Sequence, residues 1–128
     1  MNLIIYLPAL TEKGRRLLDS VRQLQFGIDV EVFETRAGFI RRLRQPKDNS
    51  LITILFEPSH EDLDDVRNAC QFLVSVPLLL VLSDQDVVTM ALAHRLRPSY
   101  ITYVDSDLSR LLAVVKKLMP ARQEARKF

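Results

Sequence analysis

The chain has 128 residues, enough for one domain of ordinary size and too few for two. Apolar residues make up 48% of it, so a substantial core can form, and neither a disordered chain nor a coiled coil is expected. The 18 basic and 16 acidic residues leave a net charge of +2, too small to indicate a polyanion partner by itself. A single cysteine, Cys70, excludes a disulfide framework and a cysteine-rich metal site.

No apolar run reaches the roughly 18 residues that a membrane helix needs. The first residues lack the basic flank of a signal peptide and continue directly into a strand pattern. We therefore expect a cytoplasmic protein that contacts no membrane.

The first third of the chain predicts two strands and two helices. Leu3 to Leu7 is a continuous apolar run, typical of a strand buried on both faces. Thr11 predicts the N-cap of the helix that follows, and Gly27 its C-terminus. Ile28 to Phe33 alternates apolar and polar residues, which predicts a half-exposed strand near a sheet edge, and Thr35 predicts the next N-cap. The apolar faces expected for the two helices are Leu10, Leu17, Leu18, Val21 and Leu24, then Ala37, Phe39, Ile40 and Leu43.

The middle of the chain repeats this pattern. Leu51 to Phe56 and Leu78 to Leu82 both predict strands buried on two faces. Ser59 predicts the N-cap of the helix between them, and Asp84 or Asp86 that of the helix that follows. The inner faces expected for these helices are Leu63, Val66, Ala69, Cys70 and Leu73, then Val87, Val88, Ala91, Leu92 and Leu96.

A fifth strand, Tyr100 to Val104, precedes a last helix that Asp105 to Asp107 caps and Pro120 ends. We expect one domain over residues 1–120 and a basic C-terminal tail over residues 121–128. Apolar strands alternating with amphipathic helices predict an α/β fold with a parallel sheet covered on both faces. The smallest common solution is a flavodoxin-like three-layer sandwich of five strands in the order 2-1-3-4-5, which places the alternating second strand at an edge.

Three local patterns resemble the receiver domain of response regulators. Val76 to Ser83 opens with a proline after its first residue and ends at a hydroxyl, as the fourth receiver strand does. Ser99 to Tyr103 is similar to the fifth strand, and Leu51 to Pro58 to the third strand with its turn. The resemblance covers about residues 2 to 119 and implies a part in two-component signal transduction.

The resemblance also implies a phosphorylation pocket, and the sequence departs from it. Receivers place two magnesium-binding acids after the first strand, but here that strand ends at Leu7 and Pro8. The residue nearest the phosphoacceptor aspartate is Glu57, and an alternative register puts Phe56 there. Because magnesium prefers carboxylate oxygens, Leu7 and Pro8 supply no ligand for it.

The remaining pocket positions are also altered. Ser83, followed by Asp84, supplies a hydroxyl one residue later than the receiver spacing, and Tyr103 occupies the position of the receiver lysine. A tyrosine cannot replace an ammonium group as the counter-charge to phosphate. We therefore expect a degenerate or pseudo-receiver without catalytic residues, metal or cofactor, in which Tyr103 packs over the vacated pocket.

The predicted function is a non-enzymatic regulatory module that acts through protein–protein interaction. The partner would belong to a signalling or transcriptional pathway, and a homodimer is an open alternative. By resemblance, the expected interaction face lies on the fourth helix, fifth strand and fifth helix, at Arg95, Tyr100, Tyr103, Arg110 and Lys117.

Two other functions stay open from the sequence. An atypical receiver would still bind a small anion or another ligand through Glu57, Ser83 and Asp84, since open α/β sheets bind ligands at the carboxyl ends of their strands. A nucleic-acid-binding regulator would use the basic second helix and the tail. The basic residues of that second helix and its turn are Arg36, Arg41, Arg42, Arg44 and Lys47.

Overall fold

The structure, a computed structural model, describes residues 2–24, 29–45, 51–69 and 76–118. Its strands are β1 (Asn2–Tyr6), β2 (Asp29–Phe33), β3 (Leu51–Phe56), β4 (Leu78–Leu82) and β5 (Tyr100–Tyr103). Its helices are α1 (Glu12–Arg22), α2 (Arg36–Arg44), α3 (His60–Asn68), α4 (Val87–His94) and α5 (Leu108–Leu118). All strand pairs are parallel, and the strand order is β2-β1-β3-β4-β5. The predicted α/β fold and strand order are confirmed.

Two apolar clusters cover the two faces of the sheet. Helices α2, α3 and α4 bury Phe39, Leu63 and Ala93 against one face. Helices α1 and α5 bury Leu17 and Leu111 against the other. Every residue of β3 and β4 is buried, whereas β2 is half-exposed, which agrees with its place at the edge of the sheet.

Side chains cap the helices where the sequence predicts. The hydroxyls of Thr11 and Thr35 accept from the third N–H of α1 and α2. Ser59 and Asp62 form a reciprocal capping box at the start of α3. The α4 cap differs from expectation: Asp86 occupies the N-cap position, but its side chain makes no capping hydrogen bond.

The predicted inner face of α4 is partly wrong: Leu92 and Leu96 pack in the core as expected, but Val87, Val88 and Ala91 do not. Val87 and Val88 are 85% and 57% exposed, and Ala91 is also exposed. The helix instead buries Thr89 and Ala93. Because α4 carries apolar residues all the way around, its sequence periodicity does not define which side faces the sheet. Two smaller predictions also differ from the structure. Leu10 and Ala37, expected on apolar helix faces, are exposed, and β5 ends at Tyr103 instead of Val104.

Several predictions fall outside the described residues. They concern Gly27 as a helix end, Cys70 and Leu73 as core residues, Lys47 and the tail over 121–128. Among the described residues, none of the helices combines the length and apolar character needed to cross a bilayer.

The buried hydroxyl of Thr53 in β3 has no hydrogen-bond partner among the described residues. Replacing Thr53 by valine keeps the side-chain shape and removes the unpaired polar group. We expect Thr53→Val to raise the free energy of unfolding by about 1 kcal/mol in urea titrations. A loss of stability would mean that the hydroxyl is satisfied in solution.

Candidate functional site

The candidate residues lie at the carboxyl edge of the sheet, the edge where all five parallel strands end. In open α/β sheets this edge is where ligands bind. Helices α1 to α5 also begin here, because each helix returns antiparallel to the strand before it. Its chemistry is therefore set by the residues that follow each strand.

Beneath the start of α1 this edge is apolar. Leu7 and Phe56 are 1% and 2% exposed, and both belong to the cluster under α1 and α5. Gly14 of α1 lies so close that an added Cβ would be 2.7 Å from Leu7 Cδ1 and 3.5 Å from Phe56 Cε2. On this face, β3 therefore ends at the aromatic ring of Phe56, and the neighbouring end of β1 supplies no acidic side chain. Pro8, the second candidate after β1, is exposed.

Glu57 follows Phe56 on a strained backbone. Its φ of 50° lies in the left-handed region, which few residues other than glycine adopt. The Glu57 N–H donates to Val81 O at 2.7 Å, which extends the pairing of β3 with β4. Its carboxylate accepts from the Ser83 hydroxyl at 3.2 Å. The two strand ends are therefore joined by one backbone and one side-chain hydrogen bond.

A second polar chain runs from α3 to the β4–α4 connection. His60 Nε2 lies 2.8 Å from the hydroxyl oxygen of Thr89, a buried residue of α4. Asp84 Oδ1 accepts from the Asp86 N–H at 3.0 Å. That backbone hydrogen bond, the Thr89 hydroxyl and the nearby His60 together hold the pKa of Asp84 below its usual value.

These two groups line one crevice of about 570 Å³ between the starts of α3 and α4. The structure therefore brings together Glu57, Ser83 and Asp84, as the sequence predicts. It adds His60 and Thr89, which sequence reasoning did not place there. Thr89 lies on a helix without clear apolar periodicity, and His60 follows a capping serine. The local sequence therefore does not indicate that either side chain reaches the crevice.

Tyr103 lies apart from that crevice. Its ring packs with the cluster under α2, α3 and α4, and its hydroxyl is 3.7 Å from Met90 Sδ. It lines a smaller cavity of about 300 Å³ together with Phe56, Lys13 and Arg16. The pocket residues predicted from the sequence are thus divided between two cavities, and Leu7 and Pro8 line neither.

The crevice is poorly suited to a phosphoryl group. Glu57, Glu61 and Asp84 bring carboxylates to it, and it has neither a lysine nor an arginine in its lining. In the other cavity, Lys13 is paired with Asp105 at 3.1 Å and Arg16 with Glu12 at 2.9 Å. Across the described ranges, no three His, Cys, Asp or Glu side chains are grouped as a metal site.

The expected interaction residues are distributed over three elements. Arg95, Arg110 and Lys117 are exposed, at the end of α4, the start of α5 and the end of α5. Tyr100 is half-buried and packs toward the α1 and α5 side of β5, whereas Tyr103 packs toward α4.

A buried network close to the crevice was missed by sequence reasoning. The Tyr6 hydroxyl donates to Asp62 Oδ1 at 3.0 Å, and Asp62 is 6% exposed. Arg36 lies 3.3 Å from the same carboxylate and 2.8 Å from Asp65. Burial, followed by the bond to Asp62, raises the pKa of Tyr6 to about 12. The network joins β1, α2 and α3.

Comparisons with known proteins come only from solved structures, because no protein-family model and no curated protein matches the chain. A response regulator CheY-like protein from Mesorhizobium loti is 20% identical, with 91% of this chain and 97% of that chain covered and a TM-score of 0.68. A CheY-like response regulator receiver domain protein from Methanospirillum hungatei is 16% identical, with coverage of 91% and 92% and a TM-score of 0.68. This chain has the CheY-like receiver fold.

A third receiver-fold structure extends the comparison. A response regulator protein from Burkholderia pseudomallei, with a phosphorylated aspartic acid, calcium ion and citrate, is 10% identical. The match covers 98% of this chain and 70% of that chain, at a TM-score of 0.63. At these identities the likeness establishes the fold alone.

The Tyr6 hydroxyl gives a stability test of the buried network. We expect Tyr6→Phe to lower the free energy of unfolding by about 1 to 2 kcal/mol, because the buried Asp62 carboxylate loses a hydrogen bond. Tyr100→Phe is the matched control, since no hydrogen bond of its hydroxyl is found within the described residues, and it should have little effect.

The same bond predicts a pH dependence. A folded-state pKa raised from 10.0 to about 12 stabilises the fold below pH 10, and this contribution is lost as the pH rises toward 12. The stability difference between wild type and Tyr6→Phe should therefore shrink over that interval. Equal differences at pH 8 and near pH 12 would contradict the assigned bond.

Proposed function

We propose that this chain is a pseudo-receiver, a regulatory module that works through protein–protein interaction and is not phosphorylated by the aspartate mechanism of receivers. The observation that carries the proposal is the apolar carboxyl end of β1 and β3, where Leu7 and Phe56 are buried under α1. Phosphoryl transfer needs a cation to neutralise the moving group, and these side chains bind none.

The charge of the crevice supports the same proposal. Glu57 is engaged by Ser83, and Asp84 is held as a carboxylate by Asp86 and Thr89. A phosphate at this place would face two negative charges without a fixed counter-charge. Tyr103, in the position of the receiver lysine by resemblance, packs on Met90 instead.

Without a phosphorylation step, the module acts by being bound. We place its contact with a signalling or transcriptional partner on α4, β5 and α5, at Arg95, Tyr100, Tyr103, Arg110 and Lys117. Their mixture of exposed cations and half-buried aromatic rings is typical of protein interfaces. A cytoplasmic location fits this role.

The test is an amide NMR titration with magnesium and beryllofluoride, which mimics an acyl phosphate. We expect the signals of Leu7, Glu57, Ser83 and Tyr103 to stay unchanged, because the edge holds neither the metal nor the anion. An active receiver domain under the same conditions is the positive control. Saturable shifts focused on these four residues would contradict the proposal.

The crevice favours one second candidate, a receiver-fold module that binds a ligand there. His60, Thr89 and Asp84 converge on it, and its carboxylates suit a cation better than an anion. In the same titration, magnesium alone would shift His60, Ser83 and Thr89 if this candidate holds, without any further effect of beryllofluoride.

Substitutions of Tyr103 test whether its ring contributes to stability and to partner binding at the position that resembles the receiver lysine. We expect Tyr103→Ala to lower the free energy of unfolding by about 2 kcal/mol, since a half-buried ring leaves the apolar cluster with Met90. Tyr103→Phe keeps the ring and should change stability by less than about 0.5 kcal/mol. Unchanged stability and partner binding in Tyr103→Ala would remove Tyr103 from the proposed role.

A further inference from the structure

The two edges of the sheet carry opposite charge. Every helix begins at the carboxyl edge and ends at the opposite one, which we call the amino edge. Exposed or half-buried acids cluster at the carboxyl edge: Glu12, Glu34, Glu57, Glu61, Asp84, Asp86, Asp105 and Asp107. Exposed bases cluster at the amino edge: Arg22, Arg41, Arg67, Arg95, Arg97, Lys116 and Lys117.

Bases at the carboxyl edge are largely neutralised by local ion pairs. Lys13 pairs with Asp105, Arg16 with Glu12, and Arg36 with Asp65 and Glu61. Two further bases, Arg15 and Arg110, are exposed in the first turns of α1 and α5. Acids such as Glu34, Asp86 and Asp107 make no salt bridge with other described residues, so the edge stays acidic.

The amino edge has the opposite arrangement. Within residues 2–24, 29–45, 51–69 and 76–118, none of its seven bases named above forms a salt bridge. The exposed acids that the described residues add there are Asp29, at the start of β2, and Asp19, in the last turn of α1. Several like charges that find no salt-bridge partner among the described residues make this edge a strong electrostatic surface.

Among the described residues, three large apolar side chains are prominently exposed, and all three lie at the acidic edge. They are Leu10, before α1, and Val87 and Val88, in the first turn of α4, and their exposed fractions are 52%, 85% and 57%. Exposed apolar side chains bordered by charges are typical of protein contact surfaces.

We propose that the acidic carboxyl edge of one copy docks on the basic amino edge of a second copy of this chain. The inference rests on the proposed interaction module and adds a contact between copies of this chain to the partner contact on α4, β5 and α5. Each edge matches the charge of the other, and the exposed valines add apolar contact that a phosphate backbone would not use. A head-to-tail contact of this kind leaves one free edge at each end, so assembly continues beyond a dimer unless it closes into a ring.

Sedimentation velocity of the full chain tests self-association over a range of concentrations and salt. We expect oligomers that grow with concentration at low salt. The association constant should fall roughly tenfold or more on raising the ionic strength to 0.5 M, since several exposed ion pairs act together. A protein that stays monomeric at low salt up to millimolar concentration overturns the proposal.

Charge reversal identifies the two edges. The carboxyl-edge variant is E34K/D86K, whose side chains make no hydrogen bond within the described residues, and the amino-edge variant is R67E/K117E. Each variant alone should be monomeric, and an equal mixture should associate again, because the reversed edges match. Circular dichroism verifies that each variant is folded.

The control D19K/D64K reverses two exposed acids away from the carboxyl edge, in the last turn of α1 and the middle of α3, and changes the net charge as E34K/D86K does. It should associate like the wild type, and an equal loss of association in this control overturns the proposal.

A different outcome is a protein that does not self-associate but binds an oligonucleotide, with the binding abolished in R67E/K117E. That result would replace the second copy by a nucleic acid as the partner of the amino edge. Self-association can fail while the beryllofluoride spectrum stays unchanged, so this failure is distinct from that of the proposed function.

Discussion

The central strands are apolar on both faces, and most of the structure follows from this constraint. All residues of β3 and β4 are buried, so helices must cover both sides of the sheet. Parallel strands joined by covering helices then send every strand end and every helix start to one edge. Acids near helix starts and bases near helix ends suit the helix dipole, so a molecule with a net charge of only +2 becomes polar from one edge to the other.

The carboxyl edge combines this arrangement with unusual side chains. Leu7 and Phe56 form an apolar base under α1, while Glu57 and Ser83 join the ends of β3 and β4. Beside them, Tyr6 and Arg36 hold the buried Asp62, so a structural network lies next to the crevice. The edge is therefore shaped by packing and internal hydrogen bonds, and its remaining exposed groups are mostly carboxylates and apolar side chains.

The strands were predictable because two-sided apolar runs such as Leu51 to Phe56 have few alternatives, and Thr11, Thr35 and Ser59 marked helix starts through local hydrogen bonds. Glu57, Ser83 and Asp84 could be grouped from topology alone. The inner face of α4 was predicted only in part, since its apolar residues lie on all sides. The Tyr6–Asp62 bond joins residues 56 positions apart, and no local pattern reports a contact of that kind.

The left-handed backbone at Glu57 and the ring of Phe56 before it limit what a single substitution at the end of β3 can restore. An aspartate at position 56 would be buried beneath Gly14, against Leu7, with no metal-binding acid beside it. An aspartate at position 57 would stand on the crevice side, away from the α1 cluster. In the proposed pseudo-receiver, one substitution at position 56 or 57 would therefore leave a carboxylate without the cation that phosphoryl transfer needs.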